Sequence, residues 1–171
     1  MDETRFWGMI EAAWQAAVGG KVKARQKLAA GKLSEEKAEE LMEALEEVIP
    51  ALRESLEQLP APELLAFDRI LERKLYDIDR AEIQEHTDGS DDGFLYARGF
   101  IVAAGKEYYD AVNAKPSVAM TDLECEEMCY LSAHVHEEKF GKFPSSSAGI
   151  SRESCSNKAG WPELRNGDGE A

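Results

Sequence analysis

Leu41, Leu45, Val48, Leu52 and Leu56 recur at spacings of four and three, and this seam constrains the fold more than any other feature of the chain. Such spacing gathers apolar side chains on one face of a helix and cannot serve the two-residue alternation of a strand. The same period runs through Phe6, Trp7, Ile10, Ala13, Trp14 and Ala17, and through Leu64, Phe67, Ile70, Leu71, Leu75, Ile78 and Ala81. It returns in Phe94, Ala97, Phe100, Ile101 and Ala104, and in Leu123, Met128, Leu131 and Val135. The sequence has no alternating strand pattern and no internal repeat. The expected fold is all-α, a single compact bundle of about five to seven helices.

Helix ends can be placed from local chemistry. Thr4 and Ser34 are candidate N-caps, because their hydroxyls can accept from unpaired first-turn N–H groups. Gly19-Gly20 and Gly141 suit helix ends, and Pro60 and Pro62 mark a fresh start. Pro50 lies inside the leucine seam, so that stretch is either one interrupted helix or two in sequence. The next stripe is read as one helix to about His86. KEYYDAVNA is a short helix that ends before Pro116, and Thr121 is read as the start of the last one. Beyond Phe143 the period is lost among Ser, Gly and polar residues. The expected organisation is one globular domain over 1–143 and a flexible tail over 144–171.

The formal charge of −14 in 171 residues narrows the partners. A duplex is held largely by neutralising its phosphates, so nucleic acid is disfavoured, as are anionic membrane surfaces. A basic protein partner is permitted. Much of the charge falls on one helix face, Glu35, Glu36, Glu39, Glu40, Glu43, Glu46 and Glu47. The basic block between Gly20 and Lys32 reads as a short solvated helix. No apolar run approaches the ~20 residues of a membrane span. The acidic start MDETRFWGMIEAAW is unlike a signal peptide. Cys125, Cys129 and Cys155 are expected to be reduced thiols in a cytoplasmic protein.

Three groups of residues could carry chemistry. Asp88, Ser90, Asp92 and Gly93 match the first half of a calcium-binding loop, but its closing carboxylate position is Gly99. A turn with Ser90 or Asp91 as helix cap accounts for the same residues, with Asp91 and Asp92 in the favoured first turn. Cys125, Cys129 and His136 fall near one helix face and are candidate zinc ligands, although a structural site needs a fourth. The acidic group Asp77, Asp79, Asp91 and Asp92 flanks a helix junction. From it Asp79, Asp91 and Asp92 are the candidate ligand or partner surface. No nucleotide-binding glycine motif occurs, and no cofactor and no catalytic residue is assigned.

FW..I..A near the N-terminus, LLAFDRIL, SDDGF followed by ARGFIVAAG, EYYDAV and MCYLSAHVHEEKFGKFP together resemble the domain of unknown function 4240 family. The likeness runs from about Thr4 to Pro144, and SDDGF with the helix after it is its most specific part. The resemblance implies a small bacterial helical protein of a kind sometimes joined to WGR modules, and transfers no catalytic residue. The functional expectation is a non-enzymatic cytoplasmic binding or regulatory module. It would use its acidic helical surface or the groove beside the SDDGF turn. The alternatives are a small, metal-assisted enzyme built on the acidic cluster and an immunity-type protein for a basic toxin.

Overall fold

The apolar stripes fold as the helices they encode. The computed structural model describes residues 1–87, 89–144 and 149–162. Its helices are α1 (Glu3–Val18), α2 (Val22–Ala29), α3 (Glu35–Glu57), α4 (Ala61–Asp77), α5 (Ala81–Gln84), α6 (Asp91–Ala103), α7 (Lys106–Ala114) and α8 (Glu126–Phe140). There is no strand among the described residues, and the eight α-helices slightly exceed the expected number.

Helix α6 lies at the centre. Phe94, Leu95, Ala97, Arg98, Gly99, Phe100, Ile101, Val102 and Ala103 are all buried, the pattern of a helix enclosed on every side. It packs against α8, while α1 packs on α3 and α4 on α8. At the base of the core Phe6 meets Phe67 at 4.6 Å between ring centroids, and Trp7 meets Tyr109 at 5.3 Å.

The approach of α6 to α8 depends on Gly99. A Cβ there would lie 2.3 Å from the Cys125 carbonyl oxygen and 2.7 Å from the Cys129 Sγ. The Cys125 N–H donates to the Tyr96 carbonyl at 3.0 Å, which ties the start of α8 to α6 at the same level. Gly99 therefore allows backbone contact between helices; its place at the end of a half-matched calcium motif is incidental.

The basic block has a structural member. Arg25 on α2 is buried and donates from Nε to the Ala104 carbonyl at 2.9 Å. Trp14 Nε1 donates to the Ala103 carbonyl at 2.7 Å, and the Arg25 guanidinium lies 4.9 Å from the Trp14 ring centroid. Two side chains thus satisfy carbonyls that the end of α6 leaves without helical partners.

Several ends differ from expectation. The cap of α1 is Asp2, whose carboxylate accepts from Arg5 N at 2.8 Å, not Thr4. Ser34 does occupy the N-cap position of α3, without a side-chain capping bond. Pro50 is accommodated within the single helix α3. The stripe read as one helix to His86 stops at Asp77 and resumes as the short α5. The break places Asp79 in the interior, where it accepts bonds from a distant segment. The last helix begins at Glu126, not Thr121, because Asp122 takes a positive φ of 60° that no helix tolerates.

Of the stretch expected to be a flexible tail, residues 145–148 and 163–171 lie outside the described residues. The described part, residues 149–162, lies against α4, α6 and α8, with Arg152 and Trp161 buried.

Candidate functional site

Ser90 caps α6, its hydroxyl accepting from Gly93 N at 3.0 Å. Asp91 and Asp92 follow in the first turn, exposed, where the helix dipole favours negative charge. Asp88, the first residue of the calcium-like motif, lies outside the described residues. Because the helix has already begun at Asp91, the second half of that motif is helix and not loop.

Asp79 is fully buried. Its Oδ1 accepts from Cys155 N at 3.0 Å and Trp161 Nε1 at 3.0 Å; its Oδ2 accepts from Asn157 N at 2.8 Å and the Ser156 hydroxyl at 3.3 Å. The structure therefore separates the three sequence candidates. Asp79 is enclosed beneath 149–162, while Asp91 and Asp92 face solvent.

A second buried carboxylate, unforeseen from sequence, sits one helical stretch away. Asp68 on α4 accepts from the Ser132 hydroxyl at 2.9 Å and from Arg152 Nη2 at 3.1 Å to each oxygen. Arg152 Nη1 donates to the Cys129 carbonyl at 2.5 Å, Nη2 lies 3.9 Å from Glu72, and the guanidinium rests 5.1 Å from the Tyr130 ring centroid. Arg98 on α6 is also buried, and donates to the Leu75 carbonyl at 2.8 Å and to the Ser154 hydroxyl at 3.0 Å. Burial lowers the Arg98 pKa, with the Asp79 charge opposing. Its Nε finds no partner among the described residues.

A signal for these residues was present. Asp68 falls between Leu64 and Leu71, and Arg98 between Phe94 and Ile101, both on the buried faces of their helices. A charge on an apolar stripe requires a partner in the folded state.

The candidate zinc residues are not assembled. Cys125 and Cys129 are buried, Cys129 Sγ points to the Leu95 carbonyl at 3.4 Å, and His136 Nδ1 lies 2.9 Å from the Lys142 carbonyl. Among the described residues no group of three or more His, Cys, Asp or Glu side chains is placed to hold a metal ion. Burial pushes both thiols up to about 12, and at Cys129 the charges of Arg98 and Arg152 only partly oppose it. Both are therefore protonated at neutral pH and shielded from reagents. Treating the native protein with iodoacetamide is expected to modify Cys155 alone, whereas denatured protein takes up label at all three thiols. Rapid native labelling of Cys129, read by mass spectrometry, would contradict this packing.

A different surface carries an open concavity. A groove of about 620 Å³ runs between α3 and the start of α8. Met42, Leu45, Ile49 and Pro50 give it an apolar floor, with Cys125 at one side, and Glu43, Glu46, Glu124, Glu126 and Glu127 stand around it. The Glu124 N–H donates to the Met42 sulfur at 3.3 Å, fixing the edge of the floor. Glu43, Glu46, Glu124 and Glu127 are exposed and form no ion pair among the described residues.

The family model described as Protein of unknown function (DUF4240) matches residues 1–138. The chain belongs to this family. No curated protein and no solved structure matches it. The DUF4240 match contains α1 to α7 and most of α8, hence the groove between α3 and α8 and the buried acids Asp68, Glu72 and Asp79. Residues 149–162, which cover those acids, lie outside the matched DUF4240 region.

Proposed function

We propose that this DUF4240 protein is a cytoplasmic, non-enzymatic binding module that takes a basic amphipathic segment of a partner protein into the groove between α3 and α8. The groove itself supports this reading: an apolar floor is bordered by glutamates, of which Glu43, Glu46, Glu124 and Glu127 form no ion pair among the described residues. Apolar side chains on one face of a helical segment would fill the floor, and lysines or arginines beside them would meet the glutamates, as in helix-in-groove recognition. The charge of the whole chain favours the same class of partner by steering its approach. No described helix is long and apolar enough to cross a membrane.

A labelled amphipathic lysine–leucine peptide supplies the test, with binding followed by fluorescence anisotropy. Doubly substituted Glu43→Lys/Glu46→Lys protein is expected to bind it at least about tenfold more weakly, a loss of ~1.4 kcal/mol. Affinity for the native protein should fall as salt rises. A charge-matched control, Glu54→Lys/Glu107→Lys, alters exposed acids away from the groove and should retain most of the affinity. Equal losses in both variants would reduce the interaction to net charge and remove the groove from the account.

A further inference from the structure

We propose that the surface of α4, α6 and α8 beneath residues 149–162 is a second recognition groove, selective for an arginine-bearing protein segment, and that 149–162 is its intramolecular occupant. This surface is distinct from the groove between α3 and α8, and the inference does not rest on the function assigned to that groove.

The groove is built for a ligand of defined chemistry. Its floor holds three buried carboxylates, Asp68, Glu72 and Asp79, against one buried guanidinium, Arg98. Such a floor demands cationic and N–H-donating groups from whatever covers it, because buried acids left without partners are costly. Residues 149–162 meet that demand at two points. Arg152 enters a pocket of Asp68, Glu72, the Cys129 carbonyl and the Tyr130 ring. Further along, the Cys155 and Asn157 amides and the Trp161 indole N–H converge on Asp79, and the indole packs edge-on to Phe94 at 5.9 Å.

The fit between them is close as well as polar. A Cβ at Gly160 would lie 2.6 Å from the Asp79 carbonyl oxygen, so the segment approaches the groove where it has no side chain. Arg152 and Trp161 are the buried anchors, and most of the residues between them are only partly buried. Recognition through an arginine and an indole with a few polar bonds between is the pattern of a docked peptide, in which a few anchors dominate. The groove lies within the family-matched residues and its occupant outside them. A partner segment presenting an arginine followed by a turn of free amides satisfies the same acids and competes with 149–162 for the site.

The test uses the full-length chain and a labelled peptide of residues 149–162. Full-length protein substituted Arg152→Ala and Trp161→Ala has a weakened internal occupant. It is expected to bind the peptide at least about tenfold more tightly than the native chain does. The same peptide carrying Arg152→Ala should lose at least about tenfold in affinity. A cooperatively melting double variant that does not bind the peptide, or that binds both peptides equally, overturns the proposal. Should the double variant fail to fold, isotope-labelled native chain provides the second measurement. Excess unlabelled peptide is then expected to speed hydrogen exchange at the chain's own Trp161 indole, and an unchanged rate would overturn the proposal.

Discussion

Asp79→Ala is expected to lower the unfolding free energy by about 3–5 kcal/mol, the largest loss for any single carboxylate in the chain. The substitution strips the acceptor from Cys155 N, Asn157 N and Trp161 Nε1 at once. It also removes a counter-charge from Arg98, which stays buried. Residues 149–162 can relieve the orphaned donors by leaving the surface for water, and that escape bounds the loss. The groove floor is then exposed, so detachment and destabilisation should appear together. Urea titration gives the energy, and Trp161 fluorescence reports the detachment. Asp92→Ala is the control: its carboxylate is exposed at the start of α6, and removing it should change stability by no more than about 0.5 kcal/mol. Equal effects of the two substitutions would contradict the assignment of Asp79 as the anchor.

Gly99→Ala is expected to cost about 3 kcal/mol through overpacking. The added methyl group would meet the Cys125 carbonyl at 2.3 Å, and a backbone atom cannot swing aside as a side chain can. The two helices must separate, and the Cys125 to Tyr96 backbone bond of 3.0 Å is strained with them. Gly8→Ala makes the opposite case. Gly8 lies within α1 with nothing within 4 Å of its would-be Cβ. Alanine there should stabilise the protein by about 0.5–1 kcal/mol, because glycine loses more backbone freedom in a helix. Thermal unfolding of both variants measures the contrast, and a neutral Gly99→Ala would show that α6 and α8 are farther apart than described.

The helices were readable because their cause is local. Most of the apolar stripe positions from Phe6 to Val135 fall on buried helix faces, and Ser90 with Asp91 and Asp92 announces the start of α6 within a few residues. The sequence groups Asp79 with Asp91 and Asp92 as one candidate acidic surface. What the sequence period could not show is that the chain breaks at Ile78 to bury this one acid alone. Its partners are more than seventy residues away in a segment with no helical period. Arg152 and Trp161 sit among serines and glycines that local composition assigns to a solvated tail. The reason that segment stays lies in distant partners, chiefly Asp68 and Asp79, which no local pattern announces. Gly99 shows the same limit: at first it marked a missing calcium ligand, and its steric role exists only once α8 is in place.

The most direct measurement is hydrogen exchange at the Cys155 and Asn157 amides and the Trp161 indole in the unmodified protein. Protection at all three, falling together when Asp79 is replaced by alanine, is the expected result, since one carboxylate accepts from all of them. Exchange at the rate of an unstructured peptide in the native chain would contradict the account, because residues 149–162 would then not occupy the groove.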